Sequence, residues 1–135
     1  MKKAITVGFF AGVLVLLVSV GMLYSSIYLL SGVTDEYFSP VFRSSGSTDW
    51  LFYAHPFVLS YALKWFWERY KGLFSGGVIL RAAEVAFVYG IVAMMPVLWL
   101  TFSAIDVSFQ MVATWFVYGF LQAFVAGLVF AKFNP

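Results

Sequence analysis

Four long apolar stretches separated by three short polar ones set the rhythm of this chain. The first runs from Ala4 to about Leu30, the second from Trp50 to Tyr70, the third from Val78 to Ser103 and the fourth from Val107 to Lys132. A helix needs about 20 mainly apolar residues to cross a hydrocarbon layer of roughly 30 Å. The uncharged part of the second is short, ending before Lys64, and the span stays adequate because that side chain can snorkel; the other stretches meet the length. The pattern predicts an all-α protein: an integral membrane four-helix up-down bundle with transmembrane helices at about 4–30, 50–70, 78–103 and 107–132. One transmembrane domain is expected over residues 1–135, with an extracytoplasmic loop at about 31–49.

The punctuation agrees with this division. Met1-Lys2-Lys3 opens the chain, but the apolar run that follows outlasts the 7–15 residues of a signal-peptide core. It reads as an uncleaved helix. The loop contains Asp35, Glu36, Pro40, Arg43 and Asp49, with a Ser/Gly cluster from Ser44 to Thr48. Ser47, Thr48 or Asp49 can cap the second helix by accepting its free N–H groups. Gly72, Gly76 and Gly77 mark a turn after that helix, and Ala104-Ile105-Asp106 marks the next. Asp106 or Ser108 can cap the last helix. Pro56 and Pro96 fall inside spans, where they kink a helix without abolishing it. Lys64 is expected to snorkel from its apolar stem toward the headgroups.

Composition strengthens the membrane reading. Hydrophobic residues make up 63% of the 135-residue chain and charged residues 10%. Soluble domains average about 45–50% and about 25%. A chain this short lacks the interior to hide the excess. The absence of cysteine removes disulfides, thiolate catalysis and Cys-based metal sites. The basic residues are few and scattered, so nucleic acid is not an expected partner.

Charge then supplies an orientation. With the N-terminus in the cytoplasm, Lys2, Lys3, Lys64, Arg69, Lys71, Arg81 and Lys132 fall on the inner side, and only Arg43 falls outside. Lys and Arg near span ends set orientation, and acidic residues count for little. The expectation is a plasma or bacterial inner membrane protein with both termini cytoplasmic.

Small residues four apart recur in three spans: Gly8 and Gly12; Ala82, Ala86 and Gly90; Gly119, Ala123 and Gly127. Such stripes let helix backbones approach closely, and they read as packing within the chain. The short connections make the second and third helices, and the third and fourth, antiparallel neighbours. Gln110, Thr114 and Gln122 should point inward, because polar groups in hydrocarbon seek partners.

Candidate chemistry is sparse. Glu84 stands near the start of the third span, and intramembrane carboxylates are costly and often functional. Arg81, three residues earlier, shares its face and can pair with it. His55 is the only histidine. It titrates in the physiological range, and Asp35, Glu36 and Asp49 fall on the same side. That makes a His/carboxylate cluster, and a sensor or enzyme built on His55, Asp49 and Asp35, conceivable. The chain has no HExxH, GxSxG or phosphate-binding loop, and no motif carries a family signature. No catalytic group, cofactor or metal is expected. The chain reads as a non-enzymatic accessory subunit or interaction module, with the lipid bilayer and other membrane subunits or itself as partners. The alternative is a small homo-oligomeric transporter or proton-coupled carrier using Glu84, Arg81, Gln110 and Gln122.

Overall fold

A computed structural model describes residues 2–42 and 46–135; Arg43 lies outside the described residues. The protein is all-helical, with no strand among the described residues. Helix α1 spans Lys2–Leu29, α2 Ser31–Glu36, α3 Trp50–Tyr70, α4 Val78–Tyr89, α5 Met95–Ala104 and α6 Phe109–Phe133. A π-helical turn, Gly90–Met94, joins α4 to α5 into one continuous rod. Three helices are long and apolar enough to cross a membrane: Ile5–Leu29, Val78–Ala104 and Phe109–Phe133. Helix α3 is not among them, because Tyr53, His55, Pro56 and Tyr61 lower its hydropathy and Lys64, Glu68 and Arg69 crowd its last two turns.

The π turn has a local cause in Pro96. Proline has no N–H to donate, and its ring collides with the carbonyl four residues back. The wider turn takes up the mismatch, with the Met95 N–H donating to the Gly90 carbonyl five residues earlier. The insertion also re-phases the rod. Gly90 is buried against Phe116 and Phe120, and Met94 lies on Gly119.

Chain order does not decide which helices meet. Helix α4 packs most extensively on α6, and α1 packs on both α3 and α6. Helices α3 and α4 follow one another in sequence, yet they scarcely touch and leave a groove between them. The expected antiparallel pairing of those neighbours is therefore corrected. The physical reason lies in side-chain size. A Cβ built on Gly127 would stand 2.9 Å from the Ala82 Cα, so α4 and α6 meet backbone to backbone. Gly8 and Gly12 of α1 receive the rings of Tyr61 and Phe57 from α3. Between α3 and α4 bulky groups such as Trp65 and Phe66 face Val88 and Tyr89, so no close seam forms.

The larger core lies where α1, α3, α4 and α6 converge, around Val15, Trp67, Val85 and Phe130. A second cluster gathers Val33, Leu98, Val107, Met111 and Val112 at the opposite end. The turn after α3 contains Gly76 at φ 87°, a left-handed conformation that side chains resist.

Candidate functional site

The ends of the bundle differ sharply in chemistry. At one end the C-termini of α3 and α6 and the N-terminus of α4 meet. Lys64 is 3% exposed, held by Glu68 one turn on, and its ammonium lies 5.8 Å from the centre of the Phe130 ring. Glu68 also accepts from the Asn134 side-chain amide at 2.5 Å and faces the Lys71 ammonium at 3.8 Å. Lys71 donates to the Pro135 carbonyl at 3.0 Å, and the Trp67 indole N–H donates to the Asn134 carbonyl at 2.8 Å. Lys64 therefore does not snorkel outward as expected. Its neighbour Glu68, itself exposed at the end of the bundle, gives the buried ammonium the counter-charge that an isolated buried charge requires.

Arg81 and Glu84 occupy this end too, but they are not an ion pair. The Arg81 guanidinium lies over the Trp67 ring at 4.7 Å and donates to the Lys71 carbonyl at 3.3 Å. Glu84 accepts from the Ser75 backbone N–H at 3.2 Å. Stacking on a fully buried indole draws the cation away from the carboxylate. Glu84 lines a cleft of about 470 Å³ with Phe66, Tyr70, Leu73, Phe74, Phe87 and Val88. It is the only charged group on that lining.

The other end gathers acidic residues. Residues 31–42 do not form a free loop. Helix α2 bends away from α1 at Leu30, and Thr34 donates to the Ser26 and Leu30 carbonyls at 3.1 and 3.2 Å. The Glu36 carboxylate accepts from both the Ser108 N–H at 2.6 Å and the Ser108 hydroxyl at 2.7 Å. A carboxylate there is favoured by the positive end of the α6 dipole. Of the two caps that the sequence offers, Asp106 and Ser108, it is Ser108 that caps α6, accepting from the Met111 N–H at 3.1 Å. The Trp115 indole donates to the Tyr37 hydroxyl at 2.5 Å, and Phe42 packs on both rings. Burial among them raises the Tyr37 phenol above its ordinary pKa.

Asp49 holds the N-cap position of α3 but makes no side-chain capping bond; its helical backbone angles do not present the carboxylate to the first turn. His55 is exposed on α3 and forms no hydrogen bond among the described residues. Nor does it join a carboxylate cluster: no group of three His, Cys, Asp or Glu side chains is placed to hold a metal among the described residues. Glu36 is spent on Ser108 instead.

Between the two ends, Gln122 donates to the Ser19 hydroxyl at 2.8 Å, which donates to the Val15 carbonyl at 2.7 Å. The hydroxyls of Ser26 and Tyr118 touch each other, and both donate to the Met22 carbonyl at 3.0 Å. These groups line a small cavity of about 110 Å³ between α1 and α6. Thr114 is buried and donates to the Gln110 carbonyl at 2.8 Å. Gln110 is exposed, contrary to the inward orientation expected of it. It sits in the first turn of α6, at the polar end of the helix, where its amide escapes the apolar interior without a partner helix.

The sequence reading passed over the Lys64–Glu68–Asn134 cluster. Its signal was present in the four-residue spacing of Lys64 and Glu68, which places both on one helical face. Tyr118 and Ser19 were also missed, since single hydroxyls in apolar runs carry no spacing signal.

Fold and site together define an all-helical protein with three helices long and apolar enough to cross a bilayer, basic at one end of the bundle and acidic at the other. No family model matches the chain, and no curated protein or solved structure matches it either.

Proposed function

We propose that this protein is a non-enzymatic accessory subunit or interaction module of a plasma or bacterial inner membrane. It crosses the bilayer four times with both termini in the cytoplasm. The fourth crossing is α3, whose charges gather at its inner end, where the buried Lys64 pairs with the exposed Glu68. The positive-inside bias supports the orientation: Lys64, Arg69, Lys71, Arg81 and Lys132 lie at one end, and Asp35, Glu36, Asp49 and Asp106 at the other.

One observation carries the interaction reading. Most polar side chains between α1 and α6 are spent on each other or on backbone carbonyls, as in the Ser19–Gln122 link, and the buried Ser60 hydroxyl of α3 stands unpaired among the described residues, while apolar clefts open on the outside. The cleft between α5 and α6 holds about 550 Å³ and is lined by Leu98, Trp99, Phe102, Val112 and Phe116. A transport path instead needs several inward polar groups near the midplane. Blue-native electrophoresis of native membranes with mass spectrometry tests this. A defined complex is expected, and Ala113→Trp, which fills the α5–α6 cleft, should dissolve it. A lone monomer in both samples refutes the reading.

The chain has no cysteine, so single-cysteine variants report topology directly. F38C and D106C should react with an impermeant maleimide from outside, and S75C and P135C only after lysis. Labelling of S75C in intact cells removes α3 as a span.

The second reading, a homo-oligomeric carrier, draws on Glu84, which faces a cleft without a cationic partner among the described residues. Reconstituted protein should then move protons or a solute, and Glu84→Gln should stop the flux. Unchanged flux in that variant excludes Glu84 as the carrier.

A further inference from the structure

We infer that the groove between α3 and α4 is a binding site for a single-chain amphiphile with a cationic ammonium head. The head sits at Glu84 and the tail runs along the groove toward Val92. This goes beyond the docking of a protein partner and does not depend on it.

Three observations converge on that ligand class. The first is charge. Every described cation at this end of α3 and α4 already has a partner: Lys64 and Lys71 share Glu68, Arg69 lies 5.2 Å from the centre of the Trp65 ring, and Arg81 stacks on Trp67. Glu84 is the one carboxylate at this end without an ion pair among the described residues, with only the Ser75 N–H on one oxygen. A half-exposed carboxylate beside an apolar wall offers a counter-charge to a cation that enters the cleft.

The second is the wall itself. Four aromatic residues, Phe66, Tyr70, Phe74 and Phe87, share the cleft with Glu84. Aromatic faces attract cations, and quaternary ammonium groups are recognised by combining such rings with a carboxylate. An ammonium with methyl substituents fits this lining better than a strongly hydrated metal ion, which needs several oxygen ligands.

The third is continuity. The cleft at Glu84 shares Phe66 and Val88 with the adjoining groove of about 350 Å³, which Leu59, Val85, Tyr89 and Val92 line without a charge. Both volumes fall within the roughly 300–1,000 Å³ of small-molecule sites. One wall is polar at one end only, which is the shape of an amphiphile and of no uniformly polar solute.

The test uses the full chain in nanodiscs of digalactosyldiacylglycerol, an uncharged lipid without ammonium headgroups. Equilibrium dialysis of radiolabelled dodecyltrimethylammonium against empty nanodiscs should reveal one saturable site per chain. Glu84→Gln keeps an acceptor for the Ser75 N–H and should weaken binding at least tenfold. Val88→Trp keeps the carboxylate, fills the groove and should abolish binding. The uncharged tert-butyl analogue of the probe should bind the native chain at least tenfold more weakly and should not distinguish it from the Gln variant. Circular dichroism checks the helicity of both variants, and the analogue comparison on the native chain stands even if one fails to fold. Non-saturable uptake, equal affinity in Glu84→Gln, or preference for dodecanoate overturns the proposal.

Discussion

Replacing Gly127 by alanine puts a methyl carbon 2.9 Å from the Ala82 Cα and 3.1 Å from the Ala82 carbonyl oxygen. Carbon atoms in good contact sit about 3.5–4.0 Å apart, so α4 and α6 must separate by roughly 0.6–1 Å along their seam. Backbone cannot swing aside as a side chain does. Overpacking of this kind costs about 1–3 kcal/mol, and an immovable neighbour places it near the upper end. Alanine also gains about 1 kcal/mol of helix propensity over glycine, which leaves a net loss of about 2 kcal/mol. Gly119→Ala is the matched control. Its new methyl meets only the end of the Met94 side chain, at 2.5 Å from Cε and 2.8 Å from Sδ, and methionine repacks easily. Gly21→Ala meets nothing within 4 Å and should be neutral or stabilising. Reversible unfolding in mixed dodecyl maltoside and dodecyl sulfate micelles, followed by far-UV circular dichroism, ranks the three. A Gly127→Ala protein as stable as the native chain, or a Gly119→Ala protein less stable than Gly127→Ala, refutes the backbone-to-backbone seam.

Other substitutions probe the remaining links by the same unfolding assay. Glu68→Ala strands the buried Lys64 ammonium and should cost about 3 kcal/mol or more, whereas Lys64→Met should cost less than half as much; the reverse order would show that Lys64 reaches water. Gln122→Leu removes the bond to Ser19 and should cost about 0.6 kcal/mol, at most about 1.7, with a larger loss pointing to a wider network. Burial raises the Tyr37 phenol pKa in the folded chain, so the unfolded chain gives up that proton first. Its contribution is whole below pH of about 10 and is lost as pH rises through the folded value; Tyr37→Phe should flatten that alkaline decline, and an unaltered slope assigns it to other groups.

Helix positions were legible because they follow from apolar run length. The second stretch, 50–70, matches α3 end for end. The last helix begins at Phe109, two residues later than expected, because Ser108 caps it and Val107 is drawn into the second core cluster. Helix partners were less legible. The glycine stripes announced close seams but not which helix would fill each, since a stripe has no address. Arg81 and Glu84 show the same limit. Their three-residue spacing permits an ion pair, but Trp67, distant in sequence, offers the guanidinium a buried ring face. Glu36 was read as one loop acid among several, and its role on Ser108 depends on a contact 72 residues away.

The rod formed by α4, the π turn and α5 is the element on which the proposed functions converge. Only 17% of its most apolar stretch is buried, against 39% for α1 and 44% for α6. It is held chiefly by α6, along the seam where Gly127 meets Ala82 and Gly119 meets Met94. Three clefts of about 350–550 Å³ border this rod: two lie between it and α3, and one between it and α6. An amphiphile at Glu84 and a partner helix on Trp99 and Phe102 would thus press on one body from two sides. Two ligands that both shift the same element are thermodynamically coupled, and the coupling is reciprocal. Filling the Glu84 groove should therefore change partner affinity at the α5–α6 cleft, and a partner bound there should change amphiphile affinity by the same factor.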